Sequence, residues 1–274
     1  MVDLSKTLLG QSTDYVDQYT PELLYPLPRK AKRDELCIDS SNLPFKGVDI
    51  WNSYELSWLN PSGKPQVGIV EFSFPCDSAN IIESKSFKLY LNSLNQSTFG
   101  SAKQLEGVLA KDLSLVAGRE VGVNILSLDQ DIAVNSGNEN RQLIDLLDIS
   151  GFSYEVDSSL LFATKGLQVE RQLVSHLLKT NCPVTGQPDW ASVLIDYSGD
   201  AIDQEGLLRY IVSYRNHQDF HEQCVERIFM DIMDKCAPEK LTVYARYTRR
   251  GGLDINPLRT TETTFSGNIR LSRQ

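Results

Sequence analysis

From residue 171 onward the apolar pattern passes through strand, strand, helix, helix, strand, strand. That order restricts the chain to an α+β layer, an antiparallel sheet with helices packed on one face. Residues 171–181 and 190–198 are rich in Val, Leu, Ile and Trp and read as strands. The eight residues from Cys182 to Asp189 lie between them, with Pro183, Gly186 and Pro188 marking a loop. Asp203 stands as an N-cap before Leu207, Leu208, Ile211 and Val212 at helical spacing. A second helix is expected from near Asp219, with Val225, Ile228, Phe229 and Ile232 on one face. After Pro238 the pattern returns to strands at 240–248 and 253–258, separated by Arg249-Arg250-Gly251-Gly252.

The N-terminal half carries a similar order. Strands are expected at 48–58 and 66–74, then a helix through Phe87, Tyr90, Leu91 and Leu94 and another near 102–116. Gly118 follows as a left-handed C-cap, with a strand at 120–128 and a last strand near 130–160. No clear sequence repeat supports the second copy, which rests on element order alone. The expected division is an irregular N-terminal arm over 1–45, a first ββααββ domain over 46–160 and a second over 161–274. Two such sheets can lie edge to edge, with a site drawing on both halves. In the arm, Pro21, Pro26 and Pro28 break regular structure, and the basic run from Arg29 to Arg33 reads as a solvated face.

The chain has 274 residues, enough for one large or two modest cores. A net charge of −9 argues against general nucleic-acid binding, which needs a basic surface to displace counterions. No apolar run approaches the length needed to span a bilayer, and Met1 to Lys6 lacks a signal-peptide core, so a cytoplasmic protein is expected. Five cysteines without a C-x-x-C pair give neither a disulfide framework nor a zinc spacing, so each is a small buried hydrophobe or a reactive thiol.

Neither G-x-G-x-x-G nor G-x-x-x-x-G-K-[ST] is present, which leaves Rossmann and P-loop nucleotide sites unsupported. His217 and His221 are four apart, but the expected helix begins between them and no third metal ligand is evident. Cys182 and Asp189 are more informative. If their strands pair as a hairpin, a thiol and a carboxyl share one loop mouth and can act as nucleophile and proton donor. The plainer alternative is a buried thiol and a turn-capping aspartate. Glu222 either completes a capping box with Asp219 or points into a pocket, where a carboxylate reads two N–H groups of a guanine-like edge. The stretch Glu83-Ser84-Lys85-Ser86-Phe87-Lys88-Leu89-Tyr90 places two lysines near a helix start, a setting that attracts phosphate, or is simply an amphipathic helix. Arg246, Arg249 and Arg250 with Gly251 and Gly252 form a cationic turn or a plain basic hairpin.

These residues together resemble the long-form 7-cyano-7-deazaguanine reductases of queuosine biosynthesis. The Glu83–Tyr90 stretch, the Cys182–Trp190 stretch, the His221-Glu222 pair and the Arg249–Gly252 turn are similar to that family's motifs in the same order. The resemblance implies two tandem tunnelling-fold domains, a homodimer, and reduction of a nitrile to a primary amine with two NADPH. It implies Cys182 as the thioimide-forming nucleophile, Asp189 as proton donor, and no metal. Ile82, Glu83, Ser84, His221 and Glu222 match substrate-binding positions, while Ser84, Lys85, Arg250 and Gly251 match NADPH-binding positions. His221 is also expected to supply a proton or hold the site closed. Two rivals remain on the same fold: a zinc-dependent GTP cyclohydrolase-like hydrolase, and a purine-binding module that would need Glu222 but not Cys182.

Overall fold

The computed structural model of the chain describes residues 15–129, 134–135, 141–263 and 267–274. The chain divides into two compact units. One takes the described residues of Met1–Asn42, Val48–Asp131 and Arg249–Asp254, the other those of Leu43–Gly47, Ile132–Thr248 and Ile255–Gln274. The division therefore differs from the expected boundary at 160, since the stretch after 131 packs with the later unit and the 249–254 turn with the earlier one.

In the first unit, β1 (Pro26–Pro28) and α1 (Lys30–Glu35) precede the long strands β2 (Lys46–Leu59) and β3 (Pro65–Pro75). Short β4 (Asn80–Ile82) leads into α2 (Ser84–Asn92) and α3 (Ala102–Ala117), and β5 (Gly122–Leu126) closes the run. β2, β3 and β5 pair antiparallel. β3 alternates, with Val70, Phe72 and Phe74 buried, as a strand must when only one face meets a core. Phe87 of α2 meets that face, its ring 5.0 Å from Trp51 and 5.1 Å from Phe72, both near edge-on. Leu105, Leu109, Leu113 and Ala117 line the buried side of α3, and Gly118 ends it at φ 76° as expected.

Three expectations for this unit need correction. The basic run is not a solvated face: Arg29 and Arg33 are 4% and 2% exposed. Arg29 donates to Asp49 Oδ2 at 2.6 Å and Arg33 to the Cys76 carbonyl at 2.6 Å. The arm is also not irregular throughout, since β1 pairs with β4; residues 1–14 lie outside those described. Nor, among the described residues, does a last strand from 130–160 complete this sheet. Residues 130–133 and 136–140 are outside the described set, and the short strands in that region pair within the other unit. The place beside Tyr54 is taken by the 249–254 turn, where Tyr54 N–H donates to the Gly252 carbonyl at 2.9 Å.

The second unit begins with short β6 (Val134–Asn135) and β7 (Gln142–Leu143), followed by β8 (Ala163–Ser175), β9 (Lys179–Asn181) and β10 (Pro188–Ile202). Helices α4 (Gln204–Ser213) and α5 (His221–Cys236) come next, then β11 (Lys240–Tyr247), β12 (Leu253–Thr260) and β13 (Arg270–Leu271). β8, β10, β11 and β12 are antiparallel neighbours, and β7 joins β8 in parallel. The expected strand at 171–181 is real but interrupted. Ser175 faces Val193 and Lys179 faces Trp190, so the arm made by β8 and β9 holds one residue more than β10 between these pairs, a bulge. Asp203 caps α4 through Gly206 N–H at 2.6 Å, as expected. Val225, Ile228, Phe229 and Ile232 of α5 are buried. The order ββααββ is present in full, and the fold class is α+β.

Candidate active site

The site in the second unit is assembled by β9. Lys179, Thr180 and Asn181 pair with Trp190, Asp189 and Pro188. The loop is pinched shut by Cys182 N–H to the Gln187 carbonyl at 2.9 Å and Gly186 N–H to the Cys182 carbonyl at 3.0 Å. Cys182 and Asp189 therefore flank one hairpin mouth. The free side of β9 holds the approach to α5: Asn181 N–H donates to the His217 carbonyl at 2.8 Å, and Asp219 N–H to the Asn181 carbonyl at 3.3 Å. A three-residue strand thus brings the start of α5 to the hairpin. His221 Nε2 lies 3.3 Å from Asp189 Oδ2, with the two side chains 16% and 9% exposed.

Helix α5 starts later than its sequence implied. Phe220 is the N-cap, and its N–H donates to Gln223 Oε1 at 3.3 Å. Gln223 is the N3 residue that reaches back, while Asp219 receives His217 Nε2 at 3.1 Å. Glu222 is thus at the second helical position and is not the back-bonding partner of a capping box. Its side chain is buried.

Cys182 is 5% exposed and forms no disulfide. Cys224, one turn into α5, is fully enclosed, and its thiol is pushed well above the ordinary value by burial and by Asp219. Burial lifts the Cys236 thiol to about 11. Cys37 and Cys76 belong to the other unit. Position at the mouth of the hairpin whose other strand carries Asp189 distinguishes Cys182 from the rest.

Two neighbours of this cluster were not foreseen. The Tyr247 ring lies flat on His221, with centroids 3.6 Å apart. Lys179 donates to Asn181 Oδ1 at 2.7 Å and to the Arg215 carbonyl at 2.6 Å. Its ammonium is lowered by burial and by Arg215, against an opposing pull from Asp189. The signal for both was register: Lys179 precedes Asp189's partner on β9, and Tyr247 ends β11.

The remaining candidate residues lie in the first unit. Ile82 ends β4 and is buried. Glu83 is the N-cap of α2, with Oε1 accepting from Lys85 N–H at 2.6 Å and Oε2 from Ser86 N–H at 2.7 Å. Burial holds its carboxyl above the ordinary value, against those two bonds. The open helix N-terminus expected there as a phosphate seat is therefore occupied by the chain's own carboxylate. Ser84 and Lys85, in the first turn, are half-buried. At the turn, Arg250 N–H donates to the Leu253 carbonyl at 2.9 Å, and Gly251 and Gly252 adopt φ of 61° and 68°, as a two-residue hairpin turn requires. Arg249 lies over the Tyr54 ring at 3.9 Å. Arg246 is not part of the cationic turn; it is buried and bonded to Gln274, Tyr244 and Asn268. Gly251 lines a cavity of about 410 Å³ with Ser53, Glu55, Lys88 and Asn92.

Among the described residues, no group of three or more His, Cys, Asp or Glu could hold a metal ion, and no helix is long and apolar enough to cross a membrane.

A family model described as nitrile reductase, 7-cyano-7-deazaguanine-reductase N-terminal, matches residues 15–125. A second, described as QueF-like protein, matches residues 188–265, which include Asp189, His221, Glu222 and the 249–252 turn. The chain belongs to the QueF-type nitrile reductase family. A solved structure of the archaeosine synthase QueF-Like in the apo form is similar at 15% identity over 37% of this chain and all of its own, with a TM-score of 0.31. Membership of the nitrile reductase family makes the chain an oxidoreductase and gives it a role in the queuosine pathway.

Proposed function

We propose that the chain reduces the nitrile of 7-cyano-7-deazaguanine to the aminomethyl group with two NADPH, through a thioimide on Cys182. The observation that carries this reading is the Asp189–His221 pair at the mouth of the Cys182 hairpin, in a chain of the nitrile reductase family. A nitrile carbon is weakly electrophilic. The Cys182 sulfur adds to it as the thiol proton passes to the Asp189–His221 pair, the S–C bond forms as one C–N π bond breaks, and the nitrogen takes a proton from Asp189. His221, with Nε2 3.3 Å from that carboxyl, passes a proton to or from it. Once that carbon has gained one hydride, cleavage of the C–S bond returns the thiol with a proton and leaves an imine at the same carbon. Glu222, one residue beyond His221, accepts the paired N–H groups of the deazaguanine edge; Ile82, Glu83 and Ser84 match substrate-binding positions of the family that the sequence resembles.

NADPH, when bound, supplies a hydride to the carbon at each of the two reductions. The first unit has a feature that fits a bulky anionic cofactor. A Cβ on Gly251 would sit 3.4–3.5 Å from the end of the Lys88 side chain, so the glycine keeps backbone open beside a cation at the cavity edge. Ser84, Lys85, Arg250 and Gly251 would hold the cofactor. The active form is a homodimer, as in the family that the sequence resembles.

The test is NADPH oxidation with 7-cyano-7-deazaguanine and quantitation of amine. Two cofactors consumed per amine are expected. Turnover without NADPH would place the chain with zinc-type hydrolases, and binding without turnover would make it a purine-binding module.

A further inference from the structure

His221 lacks the bond that usually orients a working imidazole. A hydrogen bond at the second ring nitrogen normally sets plane and tautomer, yet among the described residues His221 Nδ1 has no partner. Its ring is held by a face instead. Tyr247 lies 3.6 Å away, centroid to centroid, and the planes are 1° from parallel. Aromatic rings left to themselves favour offset or edge-on contact over a face-to-face pair, as Tyr210 and Tyr214 show at 83°. The parallel stack is therefore imposed by what grips each ring.

Tyr247 is gripped through its backbone on both sides. Its N–H donates to Asn256 Oδ1 at 3.2 Å, and its carbonyl accepts from Gln274 Nε2 at 3.0 Å. Gln274 Nε2 also donates to Asn256 Oδ1 at 2.7 Å, so the two clamps brace each other. Gln274 Oε1 in turn accepts from Arg246 Nε at 2.8 Å and from Leu271 N–H at 3.1 Å. Tyr247, Asn256, Gln274 and Arg246 are all buried, which makes a loose alternative arrangement costly.

We propose that Tyr247, locked by Asn256 and Gln274, is a positioning residue that fixes the plane of the His221 imidazole and hence the line on which Nε2 meets Asp189. Proton transfer between two side chains depends steeply on that line. The kinetic consequence rests on the nitrile reduction proposed above, while the positional claim does not.

The chain has three histidines, so the ring resonances of His221 are assignable by NMR on histidine-labelled protein. In the parent and in Tyr247→Phe they are expected upfield, shifted by the stacked ring, and in Tyr247→Leu they return to an ordinary position. The kcat for NADPH-dependent nitrile reduction falls about tenfold or more in Tyr247→Leu, with KM and the Phe variant within about threefold of the parent. Gln274→Ala retains the Tyr247 ring but loosens the backbone that holds it, giving a smaller upfield shift and an intermediate kcat even where the Leu variant fails to fold. An unshifted His221 in the parent, parental kcat in Tyr247→Leu or Gln274→Ala, or a Phe variant as slow as the Leu variant would overturn the proposal. A parent with the shifted resonance that oxidises no NADPH overturns the reductase reading and supports the stack.

Discussion

At the residue scale, the proposed chemistry divides three side chains by what each gives a ligand. Cys182 gives a bond. Incubation with the nitrile in the absence of NADPH should add the full ligand mass to the intact protein, and Cys182→Ala should show no adduct; an adduct persisting in the variant moves the nucleophile elsewhere. Asp189 gives a proton. Asp189→Ala should lower turnover by about 10²–10⁴-fold while nucleobase affinity changes little; equal losses in both would make the carboxylate structural. Glu222 gives two acceptor oxygens. Glu222→Gln should weaken binding by about 1–3 kcal/mol, because a donor on the ligand is left unpaired in a buried site, and calorimetric titration reads that difference directly. The sequence offered a bland alternative for each of these residues. For Glu222 the alternative fails because Phe220, not Asp219, caps the helix, which moves Glu222 off the back-bonding position. For Cys182 the burial expected of a small hydrophobe is present, so the adduct experiment carries the decision.

At the scale of elements, termini decide more than interiors. Glu83 caps α2 although glutamate is not a favoured N-cap, because its two oxygens take two successive amides in a buried setting. Burial holds its proton to a pH above the ordinary 4.5. The folded state therefore binds more protons than the unfolded state between 4.5 and the raised folded value. Unfolding free energy attributable to Glu83 falls as pH rises through that window and levels off above it. Denaturant titrations from about pH 4 to about pH 7 should show a downward component in the parent that Glu83→Gln lacks; identical pH profiles would sink this account. At the other end of a helix, Ala237 closes α5 at φ 45°, a left-handed position where a Cβ costs energy. Ala237→Gly should raise stability by about 0.5–1 kcal/mol, read as a higher denaturant midpoint at unchanged slope.

At the scale of the whole molecule, the cofactor count is the measurement on which the reductase reading stands. Sedimentation is expected to return the mass of two chains, and a monomer would remove the homodimer from the proposal. The strands at 48–58, 66–74, 240–248 and 253–258 and the helices with Asp203 and Gly118 at their ends were legible in the chain, because alternation, helical spacing and caps are local properties of neighbouring residues. The hairpin uniting Cys182 with Asp189 was legible for the same reason: its loop is short and punctuated by Pro and Gly. What the chain did not disclose depends on partners distant in sequence. Arg29 and Arg33 look like solvated charges until Asp49 and the Cys76 carbonyl are brought to them. The same holds for the bulge between β8 and β9, the bond from β9 to the approach of α5, and the placing of Tyr247 on His221. So the sequence determined the elements, their order and the candidate chemistry, and the tertiary structure alone decided which side chains meet, because burial and register are set by the packing of segments that no local pattern encodes.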